Sequence, residues 1–422
     1  VRTDQAVRVF VNEEDSNKPL IDATVKSGDE REYRAILTLL GGRSVPIRVE
    51  FSKGRQGVAK QVQDEQDAQS FIDLLWRPPH GVVEVIPERC LSPKTSPEVY
   101  VLTTSFPPDD ASLGYERGSR VSQEWLAATT AAAIDTADYC LEHADKLARV
   151  GRNAPDRKKK LEDFAALFAE KAFRRPLSEE LHKQIISDSF STASNFDAAL
   201  RLSLLRTLTS PLFLYHGVAI QNTELLSSFN TAAKLSFGLW DSIPDKSLES
   251  AAQSNKLVTE KQIRQQAHRM LKDNRAKSKV LKFLLRWLNI QNDPELVKDQ
   301  LQFSDFSRET AAAMRTSLLL GLENIVWGEE SDFRRLFTDD TVFLDGTLAP
   351  LFGEPLSKNA VFQPVQLDNG QRAGIITHPY IMSVLSYADS TSPIHRGVFL
   401  ARGVLGNVLR PPTDAVAPLA NS

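Results

Sequence analysis

The hydrophobic pattern of the first hundred residues is typical of β-strands. Apolar and polar side chains alternate over residues 7–11 and again over residues 45–51. Three further short β-like runs occupy residues 33–37, 82–86 and 99–104. Because short alternating strands separated by turn residues favour antiparallel pairing, the pattern predicts a small antiparallel β-sandwich-like module over residues 1–112.

After residue 112 the apolar positions recur with helical spacing. Ser122, Ser178 and Thr259 are each placed to cap a helix, and Gln262 completes a capping box with Thr259. The pattern predicts helices within residues 122–150, 161–173, 196–208, 259–273, 277–288 and 306–327. The predicted fold class is therefore mainly α: an α-helical domain at 113–410 follows the β-rich module, and residues 411–422 form a tail or linker.

Length and charge limit the classes of function. A chain of 422 residues is long enough for two or three domains. Its formal net charge is -3, from 51 basic and 54 acidic residues, which argues against nucleic acid as the main partner. Since no apolar run approaches the ~20 residues that cross a bilayer, no membrane span is predicted.

The sequence motifs of common enzymes and metal sites are absent. There is no CxxC, CxxCH, HExxH, GxSxG, Walker or dinucleotide-binding motif. The two cysteines, Cys90 and Cys140, are consistent with one disulfide or with two buried free thiols. None of the seven histidines has another at a spacing of three or four residues, so no metal site is predicted.

The segment 391–397 carries the first group of candidate ligand-binding residues. Ser392 can cap a helix, Pro393 suits its first position, and His395 then falls at the third. The positive end of a helix favours the neutral imidazole, the form that binds metals or haem iron. Arg396 and the first-turn amides could hold an anion. The alternative is a helix start packed for structure alone.

A second candidate is His378, which precedes Pro379 and is therefore expected in an extended conformation. It could face the same space as His395, or it could be an ordinary turn histidine.

The third candidate group lies in residues 237–245, where Trp240 and Asp241 are accompanied by Asp245. Two carboxylates in one cleft could perform general acid–base chemistry. The alternative places Trp240 in the core and uses a polar neighbour as a helix cap.

In the β-rich module, Trp76 precedes a proline-rich turn. It is interpreted either as a residue that stacks on a sugar ring or as one that packs at the junction between domains.

Several segments occur in an order that is specific to one family. They are residues 172–178 (AFRRPLS), 235–245, 331–337 (SDFRRLF) and 391–397, followed by Gly406 and the prolines at 411 and 412. Over residues 70–412 the chain resembles planctomycete-type cytochrome-associated proteins built from domains of unknown function 1595, 1592 and 1588. The N-terminal part resembles the end of the carbohydrate-binding-like module that often precedes those domains.

The resemblance implies an extracytoplasmic protein, in the periplasm or at the cell surface. Its relatives commonly carry a c-type haem motif in flanking segments, and this chain contains no CxxCH. The expected function is thus the docking body of a haem-associated redox protein, whose partner is a haem-bearing domain or cytochrome. The alternative is a non-catalytic binding or scaffold module that recognises a polysaccharide or protein partner. A hydrolase using Asp241 and Asp245 is a third hypothesis.

Overall fold

The computed structural model describes residues 1–12, 18–25, 31–52, 70–108, 121–215, 224–290, 296–367, 370 and 372–407. The chain divides into two compact units. Unit 1 contains residues 1–35, 46–97 and 277–422, and unit 2 contains residues 36–45 and 98–276. The division into a module at 1–112 and a domain at 113–410 stays a prediction, and the predicted tail at 411–422 lies outside the described residues.

The N-terminal part of unit 1 consists of short antiparallel strands. They are β1 (Arg2–Thr3), β2 (Ala6–Val11), β3 (Ile21–Ala23), β4 (Ile47–Ser52), β5 (Ile72–Asp73), β6 (Leu75–Trp76) and β7 (Glu84–Val85). The central sheet has the order β3-β2-β4, while β1 pairs with β5 and β6 pairs with β7. Val7 lies opposite Phe51, and Val9 lies opposite Val49. Successive side chains of a strand point to opposite faces of the sheet, and Val7, Val9 and Ala23 lie together in a small apolar cluster.

Two of the predicted strands are wrong. In the run at 33–37, Tyr33 exchanges backbone hydrogen bonds with Val1, but residues 34–37 form no strand. Ile36 is almost fully exposed to solvent. The run at 99–104 joins no sheet within the described stretch 70–108. Instead, the ring of Tyr100 stacks on Tyr139 with centroids 4.1 Å apart, so this run packs through its side chains rather than through a backbone ladder.

Unit 2 is built from helices whose first turns match the predicted caps. Its described α-helices are α1 (Gln123–Glu142), α2 (Ala144–Leu147), α3 (Arg157–Phe173), α4 (Glu179–His182), α5 (Asp188–Thr192), α6 (Phe196–Leu208), α7 (Pro211–Leu214), α8 (Glu224–Trp240), α9 (Lys246–Gln253) and α10 (Glu260–Leu271), and a π-helix (Lys183–Ser187) joins α4 to α5. Ser122 and Ser178 accept hydrogen bonds from first-turn amides, and Thr259 with Gln262 forms the predicted capping box. Small and branched residues, including Ala137 and Leu161, are fully buried.

Helix α11 (Asn274–Trp287) leads from unit 2 into the helical part of unit 1. There follow α12 (Arg308–Trp327), α13 (Arg335–Thr338), β8 (Thr341–Leu344), α14 (Ala349–Phe352), β9 (Gln363–Gln366), a 3-10 turn (Ile375–Thr377), α15 (Pro379–Val384) and α16 (Pro393–Phe399). Ser307 caps α12, which buries Leu318 and Leu322 against Leu344 of β8 and Ile381 of α15. The antiparallel pair β8–β9 was not predicted, because each strand has only four residues.

The fold is mainly α with a small antiparallel β module, as the sequence predicted. Both cysteines are free thiols: Cys140 is buried, but Cys90 is exposed, so the expectation of two buried thiols is wrong for Cys90. None of the described helices is both long enough and apolar enough to cross a bilayer.

Candidate functional site

His378 lies at the start of α15, where its side chain is fixed on both sides. Its Nδ1 accepts a hydrogen bond from the backbone N–H of Tyr380 at 3.2 Å, so the imidazole acts as the helix cap, and Pro379 occupies the first helical position. Its Nε2 lies 3.2 Å from Oγ of Ser317 on α12. The proline thus presets the extended backbone that the sequence predicted for His378.

These two bonds assign the tautomer of His378. Since Nδ1 is an acceptor, the proton of the neutral imidazole is on Nε2, which donates to the Ser317 hydroxyl oxygen. Burial, together with the charge of Arg372, lowers the pKa of His378 to about 3. A serine nucleophile requires a histidine nitrogen that can accept its proton. The Ser317–His378 pair has the opposite polarity and is therefore a positioning contact.

The same short helix is held at two more points by buried cations. Arg315 of α12 donates to the Tyr380 hydroxyl at 2.9 Å and to the carbonyl of Ile290 at 3.3 Å. Lys298 donates to the carbonyls of Ser383 and Tyr387, at 2.8 and 2.7 Å. Burial lowers the pKa of Lys298. Both cations have neutral partners, and the Lys298 ammonium sits at the negative end of the helix.

A cavity of about 50 Å³ adjoins His378 inside unit 1, which is room for a few water molecules at most. Leu318, Leu322 and Ile325 form its apolar wall, and Asp339 and Arg372 also line it. The cavity can therefore bind water or a very small polar molecule beside a neutral imidazole.

The carboxylate of Asp339 is held in an ion pair at this cavity. Arg335 donates to its Oδ2 at 2.6 Å, and the amide of Thr341 donates to its Oδ1 at 2.9 Å. Burial raises the pKa of Asp339, but these hydrogen bonds outweigh it and leave the pKa below its usual value. Asp339 is thus an ionised, already partnered carboxylate near neutral pH.

His395 and Arg396 lie on the surface of unit 1 at the start of α16. Ser392 caps this helix by accepting from the His395 amide at 3.3 Å, as predicted. The imidazole of His395 is exposed and contacts the Tyr387 ring, with centroids 5.1 Å apart. Arg396 donates to Thr391 Oγ1 at 2.9 Å. The contacts of His395 and those of His378 have no residue in common.

Trp240 and Asp241 lie in unit 2, at the end of α8. Trp240 is buried, its Nε1 donates to the carbonyl of Met270 at 3.0 Å, and the guanidinium of Arg275 lies 3.7 Å from its ring centroid. The alternative interpretation, Trp240 in the core, is therefore the one the structure supports. Asp241 is exposed and has a left-handed backbone with φ of 50°.

Asp245 serves as a structural carboxylate. It caps α9 by accepting from the Leu248 amide at 2.9 Å, and Arg269 donates to it at 2.8 Å. Burial raises the pKa of Asp245, but the bonds from Arg269 and Leu248 outweigh it, so the pKa is lowered. A carboxyl group with a lowered pKa is a poor general acid near neutral pH.

Unit 2 contains a larger cavity, of about 170 Å³, away from every predicted site residue. Its lysines, Lys158 and Lys159, are each within 4 Å of an acid one helical turn later in α3. The four charged side chains from α3 in its lining are therefore paired with one another.

Sequence reasoning missed Arg315, Ser317 and Lys298. The available signal for the first two was their position within the apolar stripe of α12, where polar side chains need a partner when buried. Lys298 has no local signal, because its partners are more than 80 residues away in the chain.

The described residues contain no group of three or more His, Cys, Asp or Glu side chains able to hold a metal ion. A haem iron needs an imidazole nitrogen with an available lone pair. At His378 that lone pair accepts the Tyr380 amide, and the adjoining cavity is far smaller than a porphyrin. His395 lies on an exposed surface. Neither imidazole, as placed here, fits an enclosed haem site.

Two family models match the chain in consecutive regions. The PSD4 model, described as a protein of unknown function (DUF1592), matches residues 226–353, and the PSCyt3 model, described as a protein of unknown function (DUF1588), matches residues 372–422. They confirm two of the three domains in the predicted resemblance. No curated protein and no solved structure matches the chain. His378 and His395 fall in the second region, and Trp240, Asp241 and Ser317 in the first.

Proposed function

We propose that this chain is the docking body of an extracytoplasmic, haem-associated redox protein. The observation that carries the proposal is the pair of consecutive matches, the second to a model with the name PSCyt3. The segment 172–178 extends the proposal to a domain of the 1595 type. Haem c would belong to a flanking segment or to a partner cytochrome, since this chain has no CxxCH.

The proposed docking face is the exposed surface at the start of α16. Tyr387 is 50% exposed and Ile394 is 72% exposed, and both lie in the region that matches PSCyt3. The Asp299 amide donates to the carbonyl of Ala388 at 3.0 Å, which brings the exposed Leu301 segment beside it. Exposed aromatic and aliphatic side chains of this kind are typical of protein-binding surfaces.

The test is the visible absorption spectrum of the protein purified from its native source, oxidised and then reduced with dithionite. We expect a Soret band and sharp reduced-state bands that co-purify with the wild-type chain. Where the haem belongs to a partner cytochrome, the bands should disappear on Ile394→Glu, at a side chain that is 72% exposed, and persist on the control Val361→Glu, at one that is 81% exposed in unit 1. Haem c of a flanking segment is covalently attached, so its bands should persist in both variants. A featureless wild-type spectrum, with an intact mass equal to this chain alone, would contradict the proposal.

A second candidate function is a non-catalytic scaffold that binds a polysaccharide through the β-rich part. The favouring observation is Trp76, whose indole Nε1 donates to Glu84 at 3.1 Å and is thereby held in one orientation. A glycan array should then give a signal that Trp76→Phe retains and Trp76→Ala loses. An array without signal would remove this candidate.

A further inference from the structure

Strand β4 forms one edge of the central sheet. Within the described residues it pairs with β2 alone, and all six of its residues are exposed. An edge strand presents backbone N–H and C=O groups that can pair with a further strand. The sheet can therefore be extended at β4.

The side chains of β4 alternate between an apolar and a charged face. Ile47, Val49 and Phe51 share the face on which Val7 and Val9 are buried, and they are 38–44% exposed at its margin. The opposite face carries Arg48 and Glu50, whose charged groups are 3.5 Å apart. The strand thus has one apolar stripe and one pair of opposite charges, both centred on Val49.

We infer that β4 pairs antiparallel with β4 of a second copy of this chain, about a two-fold axis at Val49. In this register Arg48 of each copy lies opposite Glu50 of the other, and Ile47 lies opposite Phe51. Val49 lies opposite its own counterpart. Each of the five cross-strand pairs is then either apolar with apolar or positive with negative, which is the arrangement that stabilises antiparallel pairs.

Other arrangements of the same strand lack this complementarity. A slip of one residue puts the charge of Arg48 opposite an apolar residue, either Val49 or Phe51. Parallel pairing in register puts Arg48 beside Arg48 and Glu50 beside Glu50. Charge pairing therefore specifies both the direction and the register.

The opposite edge of the sheet, β3, provides a contrast. It has only three residues, and Asp22 is its central one. Two-fold pairing there would place two Asp22 carboxylates opposite each other, and short charged edges resist pairing. The inference therefore applies to β4 alone among the two edges.

The first test measures the mass of the intact chain by sedimentation velocity over a concentration series. The wild-type mass should rise from 47.0 kDa toward twice that value. Arg48→Glu or Glu50→Arg alone sets like charges opposite each other, and each should weaken self-association about tenfold. An equimolar mixture of the two variants should recover a 1:1 dimer, because every pair is complementary again.

The second test is a cross-link that does not depend on the charged residues, since Arg48 also lies 4.0 Å over the Phe10 ring and its replacement could affect folding. In a Cys90→Ser background, Val49→Cys should oxidise to a disulfide-linked dimer, because opposed Cα atoms of an antiparallel pair are ~5 Å apart. Ser52→Cys is the matched control: in this register the two copies of residue 52 are ~20 Å apart and should not cross-link.

Four results would overturn the inference. The first three are a monomer at every concentration, a dimer that neither charge variant weakens or that the mixture fails to restore, and equal cross-linking at positions 49 and 52. Occupation of this edge by a different protein, seen as loss of its co-purification on Glu50→Arg, would also overturn it.

Discussion

Each unit holds a polar ring in place through hydrogen bonds, His378 in unit 1 and Trp240 in unit 2, and the two rings are held by different means. In unit 1 both hydrogen-bond partners of the His378 imidazole are neutral, an amide and a hydroxyl, and the adjoining cavity has an apolar wall. In unit 2 the indole of Trp240 lies under the guanidinium of Arg275, which in turn is hydrogen-bonded to the Asp273 carboxylate at 2.8 Å. One ring depends on remaining uncharged, whereas the other depends on neighbouring charges.

This difference predicts different sensitivities. The neutral site should respond to steric change and to mild acid, because charging a buried imidazole is costly. The charged site is partly exposed and should respond to salt and to loss of one ionic partner. The following predictions test this comparison.

The largest loss of stability is expected for Gly374, which lines the His378 cavity and has no space for a side chain. Gly374 has φ of +63°, and an added Cβ would lie 2.5 Å from the backbone of Phe337. Gly374→Ala should lower the free energy of unfolding by about 3 kcal/mol or more, because its backbone (φ +63°, ψ -175°) lies in a region almost restricted to glycine and the added Cβ also overpacks the site. Chemical denaturation measures the loss.

The control is Gly353→Ala, at a glycine in the left-handed helical conformation (φ +72°, ψ +18°) with no atom within 4 Å of an added Cβ. It should cost only about 1–2 kcal/mol of backbone strain. Equal losses at the two positions would show that neither the contact with Phe337 nor the more restricted backbone conformation of Gly374 adds to the cost.

Replacement of the neutral ring itself should have the next largest effect. His378→Leu removes the cap of α15 and leaves the buried Ser317 hydroxyl without this partner, which should cost about 2 kcal/mol in unfolding free energy. His395→Leu, at an exposed imidazole in the same unit, should change it by less than about 0.5 kcal/mol. A reversed order would refute the assignment of His378 as a positioning residue.

Mild acid should distinguish the two sites. The pKa of His378 is about 3 when folded and near 6.5 when unfolded, so the unfolded chain binds the extra proton between these values. Stability contributed by neutral His378 is therefore complete above pH 6.5 and falls by up to about 1.4 kcal/mol per pH unit below it.

The stability contributed by the charged site should be lost at a lower pH than that contributed by His378. The hydrogen bond from Arg275 holds the pKa of Asp273 below its usual value, so the stability that ionised Asp273 contributes is present above the unfolded pKa near 3.8 and is lost below it.

The His378 prediction is tested by chemical denaturation at pH 7, 6 and 5. The free energy of unfolding should fall with pH, and His378→Asn should reduce this slope. An unchanged slope in that variant would assign the acid response to other groups.

Sequence reasoning predicted local features well because their causes are local. The caps at Ser122, Ser392 and Thr259 depend on residues within one helical turn, and each is confirmed. The surroundings of His378 were not predictable in this way, since Ser317 is 61 residues away. The strand predicted at 99–104 was wrong because the contact that holds this run is not local: Tyr100 stacks on Tyr139, and local alternation gives no information about that contact.

The smallest effect is expected at the charged site of unit 2. Arg275→Ala removes the nearer of two cations over Trp240 (the other is Arg269) and the partner of Asp273, which should lower the unfolding free energy by about 1–2 kcal/mol. Arg275→Lys should recover part of the loss, because it keeps the charge but not the planar guanidinium group.

The exposed pair Arg264–Glu260 supplies the control, and Arg264→Ala should lower the free energy of unfolding by less than about 0.5 kcal/mol. Repeating the denaturation series in 1 M salt, where the Debye length is about 3 Å, should narrow the gap between wild type and Arg275→Ala. A gap unchanged by salt would mean that Arg275 stabilises the site by packing on the indole rather than by its charge, and the contrast with His378 would then be one of shape alone.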